Sequence, residues 1–411
     1  MSLLKRLLKR LLPRSMQRLI VRGLTYFPDR QTLSLTPPPD LEPPQKAALV
    51  SYVTAPFKEG SGSTLFTHAG VPKLMARALQ ELGYAVDIIE WSNTVWTPRK
   101  EYQLFIGHAG RNFERLAGKL GQSCTKIYFS TGTYWREHNR AEQQRFDALE
   151  ARRGVRLPPD RPIEDSEEQA NALADGIICL GNQAARDSYG KFPVVYALNN
   201  ATYPLNLGQA AAQDYKKNHK KDHEQGRTNF LFLSSDGNVH KGLDLLLEVF
   251  SEPDMQGVAE LTVCQRIRPD FYALYRRELE ETPNIHFAGH LDLQSGLFQE
   301  IAAKCTFLLH PSCAEGQPGA VLDGMRYGLI PVLTPENHID VDTCGFLISP
   351  SLPEMAEEVK RLSRLPAEEC RRLAGNAQQV AATQFSEEQF FGNIKRSISE
   401  ISSSHNQQQQ P

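Results

Sequence analysis

Short apolar runs alternate with segments of helical periodicity along most of the chain. Residues 46–56 (KAALVSYVTAP) read as a buried strand, and residues 64–84 place apolar side chains at the three- and four-residue spacing of an amphipathic helix. Five further apolar runs follow between charged segments: AVDIIEW, YQLFIGH, KIYFST, GIICLG and PVVYALN. Strands buried on both faces give such continuous runs, so the alternation predicts a parallel sheet covered by helices.

The alternation stops at residues 206–228, which are polar and charged, and restarts at residue 229. A polar interruption between two patterned halves is typical of an interdomain linker. His219 and His223 within it have the spacing of metal ligands on a helix, but their lysine-rich surroundings favour a solvated linker. The predicted organisation is a basic amphipathic segment with a proline-rich spacer (1–45), an N-terminal α/β domain (46–205), the linker (206–228), a C-terminal α/β domain (229–385), a C-terminal helix (386–402) and a disordered tail (403–411).

The N-terminal segment 1–28 has a composition unlike that of the rest of the chain. Its LLKRLLKRLL motif places leucines on one helical stripe, and the segment has seven basic side chains and no acidic one. This pattern is typical of a helix lying in an anionic membrane surface. A partner-docking helix and a transit peptide are the alternatives. The apolar runs are too short for a secretory signal or a membrane span.

Net charge and cysteine content narrow the possible classes of protein and its cellular location. The formal net charge of -2 argues against a nucleic-acid binder, which would usually show a basic excess. Seven cysteines without a C-x-x-C pair predict a reduced setting, so we expect a cytoplasmic protein, peripheral to a membrane if residues 1–28 bind one.

The most informative segment is residues 310–334, HPSCAEGQPGAVLDGMRYGLIPVLT. A strand is predicted to end near residue 310, and Pro318 and Gly319 occupy the first turn of the next helix. Ligands of open α/β sheets bind beyond the carboxyl ends of the strands, and the N–H groups of a helix N-terminus bind phosphate. Glu315 and Asp323 would flank that anion as acceptors for hydroxyl groups. This arrangement suits a sugar joined through diphosphate to a nucleoside.

The segment resembles the carboxylate signature of retaining family-4 glycosyltransferases of the GT-B architecture (glycosyl transferases group 1). In that signature an E-G-x-P sequence is followed by a second Glu, eight positions after the first, and by A-x-G-x-P-V. This chain matches it at Glu315, Gly316, Pro318, Gly328, Pro331 and Val332 and departs at Asp323. The resemblance implies two Rossmann-like domains facing a cleft, with the C-terminal helix returning to the first domain. It also implies that Glu315 contacts the donor sugar, with Gln317 beside it, and that Asp323 holds the ribose.

A second match covers residues 234–250, SSDGNVHKGLDLLLEVF. The resemblance implies that Lys241, after the Gly237 turn, stabilises the departing diphosphate. Many relatives have an arginine five residues before this lysine, where the present chain has Asp236. Either another cation completes the site, with Arg266 or Arg268 as the candidates, or the phosphates bind in a different position.

The N-terminal half matches the family more loosely. Gly60 and Gly62 would let the backbone approach the ligand, and the absence of a third glycine, with Leu65 in its place, argues against a nicotinamide site. His108 falls where relatives place a histidine facing the transferred sugar. Thr131, Gly132, Thr133 and, more weakly, His138 are expected to line the acceptor cleft.

The resulting prediction is an enzyme that moves a hexosyl or related sugar from a nucleotide diphospho-sugar to a glycan or lipid-linked acceptor, with retention, in polysaccharide or glycoconjugate biosynthesis. No metal or other cofactor is expected, because Lys241 and the helix N-terminus would stabilise the leaving group. The alternatives are a GT-B protein that binds nucleotide or glycan without turnover, a membrane-docked scaffold acting through residues 1–28, and a sugar phosphorylase or epimerase on the same fold.

Overall fold

The computed structural model describes residues 32–58, 67–202 and 228–409. The predicted amphipathic segment 1–28, Gly60 and Gly62, and all of the predicted linker except residue 228 lie outside these ranges. Among the described residues, no helix combines the length and apolar composition needed to cross a bilayer.

The N-terminal domain is built on a seven-stranded sheet with strand order β1-β3-β2-β4-β5-β6-β7. All neighbouring pairs are parallel except β1 with β3. The strands are β1 (Leu33–Leu35), β2 (Lys46–Tyr52), β3 (Tyr84–Glu90), β4 (Leu104–Gly107), β5 (Thr125–Ser130), β6 (Gly176–Leu180) and β7 (Val195–Leu198). The helices are α1 (Thr67–Glu81), α2 (Gly110–Ala117), α3 (Trp135–Arg153), α4 (Glu168–Leu173) and α5 (Gln183–Asp187), with a 3-10 turn at Ala55–Phe57.

The C-terminal domain has a six-stranded, fully parallel sheet. Its order, β10-β9-β8-β11-β12-β13, is the 3-2-1-4-5-6 order of a Rossmann fold when β8 is counted first. The strands are β8 (Asn229–Leu233), β9 (Glu260–Cys264), β10 (Ile285–Phe287), β11 (Phe307–His310), β12 (Ile330–Leu333) and β13 (Phe346–Leu347). The helices are α6 (Leu243–Phe250), α7 (Pro269–Leu274), α8 (Arg276–Glu281), α9 (Gly296–Lys304), α10 (Gly319–Arg326), α11 (Leu352–Leu362), α12 (Ala367–Thr383) and α13 (Glu387–Gln408), with 3-10 turns at Pro253–Met255 and Pro335–Asn337.

Apolar side chains on both faces of each sheet are buried against helices, as the continuous apolar runs predict. In both sheets the strand order reverses beside the first long strand, between β2 and β4 and between β8 and β11. A crevice forms at such a switch point because the loops on either side diverge. The two crevices therefore define where a ligand can enter each domain.

Two helices cross between the domains. The long α3 belongs to the first half of the chain, yet Phe146 and Leu149 pack into the hydrophobic core of the C-terminal domain. Arg145 Nη1 also donates a 3.0 Å hydrogen bond to the carbonyl oxygen of Pro311. In the opposite direction, α13 packs on the N-terminal domain through Ile398 and Ile401. The two domains are thus held together by apolar burial at two places.

The structure corrects two local predictions. Strand β1 lies in the region predicted as a spacer, where Leu33 and Leu35 pair with β3 at the edge of the sheet. The C-terminal helix continues to Gln408, so residues 403–408 of the predicted disordered tail are helical. Their composition is polar, but His405 is buried and lies 3.1 Å from a carboxylate oxygen of Asp175, which holds the last turns on the N-terminal domain.

Candidate active site

The carboxyl ends of the two sheets face one another across two adjoining cavities. The larger one, about 770 Å³, lies between the domains, and a smaller one of about 170 Å³ lies over the switch point between β8 and β11. Both are lined by Thr131, Arg161, Glu315 and Gly316. The predicted site residues divide as follows: His108 and Gly237 line the larger cavity, Lys241, Gln317, Pro318, Gly319 and Asp323 line the smaller one, Glu315 and Gly316 line both, and Arg266 lines neither.

Glu315 lies at the junction of the two cavities, in the loop between β11 and α10. Its carboxylate forms an ion pair with the Lys241 ammonium and accepts a 2.9 Å hydrogen bond from Ser312 Oγ. Burial alone would raise the pKa of Glu315, but the Lys241 and His240 charges lower it far below its usual range. The carboxylate is therefore ionised and can accept hydrogen bonds from sugar hydroxyls.

Lys241 follows the loop after β8 and precedes α6. Gly237 and Gly242 have φ values of +80° and +82°, which bend the chain so that the lysine side chain turns inward. The residue is only 5% exposed, and burial lowers its pKa from the usual value while Glu315 opposes that change. Lys241 thus offers a positive charge in a site with little competing solvent.

The second cation of the site comes from the other domain. Arg161 Nη1 lies 2.8 Å from Asp236 Oδ1, and a Cβ added to Gly237 would lie 2.9 Å from Arg161 Cδ. The structure therefore corrects the prediction that Arg266 or Arg268 replaces the missing arginine. Arg266 is exposed and lines neither cavity, whereas Arg268 binds Asp160 and Asp270. Asp236 occupies the position where the family pattern has an arginine, and it holds the Arg161 guanidinium beside that position.

The N-terminus of α10 closes the smaller cavity. Pro318 precedes the helix, Gly319 begins it, and Gln317 has the positive φ of +61°. Both polar atoms of the Gln317 side chain form hydrogen bonds within the protein. Nε2 donates to Asn199 Oδ1 and to the His338 carbonyl, and Oε1 accepts from the Asn200 N–H. The Gln317 backbone is bonded as well, since the N–H donates to the Asn337 carbonyl and the carbonyl accepts from Asn200 Nδ2, so Gln317 positions the helix N-terminus.

Asp323 lies inside α10 and faces the same smaller cavity. Its Oδ1 accepts a 3.1 Å hydrogen bond from Thr202 Oγ1, a residue that follows β7 of the N-terminal domain. A hydroxyl group is thus already bound at the carboxylate predicted to hold a ribose. The geometry is compatible with hydroxyl recognition at this position.

His108 follows β4 and lies in the wall of the larger cavity. Its Nδ1 lies 2.9 Å from the Phe129 carbonyl, and its ring makes edge contacts with Tyr52 and Trp91. Because a carbonyl can only accept, Nδ1 carries a proton and Nε2 is left as the acceptor of a neutral imidazole. Burial lowers the pKa of His108, which favours that neutral form. Thr131, Gly132, Thr133 and His138, the residues predicted to line an acceptor cleft, line the same cavity.

Several lining residues escaped the sequence analysis, among them Arg161, Trp91 and Glu167. Trp91, at the end of β3, is 41% exposed and offers an aromatic face to the cavity. Glu167 is buried, and burial raises its pKa to about 7. None of them lies in a motif, and the one usable signal was the aromatic side chain of Trp91 directly after β3.

Replacement of Glu167 by glutamine is expected to stabilise the protein at alkaline but not at acidic pH. The folded carboxyl has a pKa of about 7, against an ordinary value of 4.5, so the folded state must hold a buried carboxylate once the pH exceeds about 7. The variant should gain on the order of 3 kcal/mol relative to wild type as the pH rises from about 4.5 to 8. Urea unfolding at both ends of this range measures the difference. Asp165→Asn, at an exposed carboxylate of the same cavity, is the control, and pH-independent behaviour of Glu167→Gln would contradict the assignment.

Gly316 is a point of close approach between the domains. A Cβ at this position would lie 1.9 Å from the Thr131 carbonyl oxygen and 2.5 Å from Gly132 Cα. Gly316→Ala is therefore expected to push the domains apart, destabilise the protein by about 1–3 kcal/mol and increase the radius of gyration in small-angle scattering. Gly375→Ala, where a Cβ meets no atom within 4 Å, is the matched control. Equal scattering and stability for both variants would show that the domains are not in contact here.

Comparison with known proteins agrees with this fold. Residues 227–364 match the family model of glycosyl transferases group 1, while no curated protein sequence matches the chain. Two of the similar solved structures are sucrose-phosphate synthase from Thermosynechococcus elongatus (TM-score 0.59, 13% identity, 88% of this chain and 100% of that chain covered) and Anabaena HepE in complex with UDP and glucose (0.54, 14%, 87% and 99%). A third is TarM (0.51, 15%, 73% and 54%), so the chain spans about half of TarM's length.

The predicted fold class is confirmed: the chain has the GT-B architecture of two Rossmann-like domains. Its C-terminal domain is the part that matches glycosyl transferases group 1, and this domain holds Lys241, Glu315 and Asp323. The family match and the GT-B neighbours together support a glycosyltransferase.

Proposed function

We propose that the chain transfers a sugar, with retention of configuration, from a nucleotide diphospho-sugar to a neutral, hydroxyl-rich glycan. The observation that carries the proposal is the convergence of Lys241, Arg161 and the N-terminus of α10 around Glu315, where the two cavities meet. Two cations and a helix N-terminus form an anion site, and a carboxylate beside it accepts hydroxyl groups.

The donor would occupy the smaller cavity. Its diphosphate would lie between Lys241, Arg161 and the first turn of α10, with the ribose at Asp323 and the sugar at Glu315. A ribose hydroxyl would then take over the hydrogen bond that Thr202 makes to Asp323. The binding of UDP and glucose by the structural neighbour HepE supports this class of donor.

The proposed catalysis depends on where negative charge develops during the reaction. As the bond from the sugar to the diphosphate breaks, negative charge accumulates on the phosphate oxygens, and the Lys241 and Arg161 cations stabilise it without a change in their positions. Glu315 orients the sugar through its hydroxyls, and neutral His108 faces the transferred sugar with Nε2 as an acceptor. The leaving phosphate itself can take the proton of the attacking hydroxyl.

The larger cavity indicates the class of acceptor. Six carboxylate side chains line it and only two arginines: Asp160, Glu164, Asp165, Glu167, Asp236 and Glu315 against Arg161 and Arg268. Asp160 and Asp236 are paired with the two arginines and Glu315 with Lys241, so the excess of negative charge comes from Glu164, Asp165 and, above about pH 7, Glu167. An excess of carboxylates repels phosphorylated or acidic acceptors. The lining carboxylates can accept hydrogen bonds from many sugar hydroxyls, and Trp91 offers an aromatic face. Both features favour a neutral glycan. The glycan can be attached to a lipid whose headgroup stays outside the cavity.

A screen of nucleotide diphospho-sugars tests the proposal. A true donor at 100 times its Kd should stabilise the folded protein by about 2.7 kcal/mol, seen as a rise in the thermal unfolding midpoint. Donors that stabilise are then incubated with neutral oligosaccharides, and release of the nucleoside diphosphate is followed. Stabilisation without release from any donor would instead support the binding protein without turnover. No stabilisation by any nucleotide diphospho-sugar would contradict the proposal.

A further inference from the structure

A cluster of metal-ligating side chains joins the two domains beside the catalytic groups. His138 and Glu142 lie one turn apart on α3, and His240 directly precedes Lys241 in the loop after β8. One ring nitrogen of each histidine and one oxygen of Glu142 lie within 4.8 Å of one another. The cluster thus draws ligand types typical of zinc from both halves of the chain.

The Glu142 carboxylate provides an independent indication of a bound cation. The residue is 1% exposed, and its Oε1 accepts a 2.6 Å hydrogen bond from the Arg161 N–H. Its Oε2 is buried and has no hydrogen-bond partner among the described residues. A buried carboxylate oxygen without a partner is costly, and a cation bound in the cluster would satisfy it.

Both histidines direct their Nε2 nitrogen to a backbone carbonyl oxygen. His138 Nε2 lies 2.9 Å from the Arg161 carbonyl oxygen, and His240 Nε2 lies 2.6 Å from that of Ala314. Carbonyl oxygens only accept, so each Nε2 donates a proton and each Nδ1 is left for another partner. Histidines that ligate metals usually donate their second ring N–H in this way.

Two distances from His240, one to Glu142 and one to Cys313, lie in the range expected for a tetrahedral ion. His240 Nδ1 lies 3.4 Å from Glu142 Oε1 and 3.6 Å from Cys313 Sγ. Zinc bonds of about 2.0–2.1 Å to nitrogen and oxygen and about 2.3 Å to sulfur place the ligand atoms of a tetrahedron about 3.3–3.6 Å apart. We propose that His138, Glu142 and His240, whose ligand atoms lie within 4.8 Å of one another, form a Zn²⁺ site that links the two domains, with Cys313, which lies beside His240, as its fourth ligand.

The role of this site is structural. Four protein ligands leave no open position on a tetrahedral ion, so the metal is not expected to activate water or substrate. His240 and Cys313 lie one and two residues from Lys241 and Glu315, and the other two ligands lie on α3 of the N-terminal half. A bound ion would therefore hold both catalytic loops against that helix. This differs from the sequence prediction, which assigned no metal to the protein.

Metal content of the full chain, prepared without a histidine tag, tests the proposal. The protein is equilibrated with Zn²⁺, dialysed against metal-free buffer and analysed by inductively coupled plasma mass spectrometry, with affinity from competition against a chromogenic chelator. Wild type should retain one equivalent. Glu142→Gln, which conserves volume and the acceptor for Arg161, and Cys313→Ser should each weaken binding at least tenfold. Circular dichroism verifies that both variants are folded.

Two controls exclude other histidines. His286→Ala removes the exposed His286–Glu260 pair, and His219→Ala/His223→Ala removes the histidines of the predicted linker; both should keep the full equivalent. Co²⁺ in place of Zn²⁺ should give a thiolate charge-transfer band that disappears in Cys313→Ser. Less than a tenth of an equivalent in wild type, or undiminished affinity in Glu142→Gln, would overturn the site. Undiminished affinity in Cys313→Ser would overturn the assignment of its fourth ligand.

Discussion

Lys241→Ala is expected to lower the rate of sugar transfer by about 10²- to 10³-fold, the usual effect of removing one preorganised group from a developing negative charge. The ammonium is 5% exposed and ion-paired with Glu315, so few solvent molecules are available to take its place. The same change leaves the Glu315 carboxylate buried without its ammonium partner, and we expect the free energy of unfolding to fall by about 3–5 kcal/mol. Steady-state release of nucleoside diphosphate and urea unfolding measure the two effects.

The double variant Lys241→Ala/Glu315→Gln separates catalysis from stability. Removing both charges should restore much of the lost free energy of unfolding, because no uncompensated charge stays buried, while transfer should remain at the level of Lys241→Ala or below. Lys304→Ala, at an exposed lysine of the same domain, is the control for both measurements. Recovery of transfer in the double variant would show that Lys241 acts only as the partner of Glu315.

Arg161→Ala is expected to weaken donor binding by about 10- to 100-fold, the range for hydrogen bonds to a charged group. Arg161 is the cation that the N-terminal domain contributes beside Gly237, and it lines both cavities. Calorimetric titration with the donor identified in the screen gives the affinity.

The compensating variant is Arg161→Ala/Asp236→Arg, which returns the arginine to the position five residues before Lys241. It should recover at least part of the donor affinity that Arg161→Ala loses. Arg277→Ala, at an arginine whose side chain is 87% exposed, should behave as wild type. Unchanged affinity in Arg161→Ala would mean that the cation is not part of the donor site.

Much of the fold could be predicted because local pattern and tertiary structure agree. Strands such as β4 and β6 are buried on both faces, and the continuous apolar runs in their sequences predict this burial. The positions of Glu315 and Lys241 could be predicted as well, since each follows a strand and precedes a helix. Loops at those positions meet at the same edge of the sheet whatever their detailed conformation.

What could not be predicted depends on contacts between distant segments. Arg161 lies in a loop of the N-terminal half, and only the packing of α3 against the C-terminal domain places it beside Asp236. The ends of β1 and α13 likewise follow from tertiary contacts, since β1 needs β3 and the last turns of α13 need Asp175. Polar composition alone predicts disorder for such segments.

The most direct test of the central claim is transfer itself, measured as nucleoside diphosphate released from the donor in the presence of a neutral oligosaccharide. The account predicts release that depends on the acceptor in wild type and falls by at least 10²-fold in Glu315→Gln, with donor affinity reduced far less. Equal release by wild type and Glu315→Gln, from a donor that both bind, would contradict it.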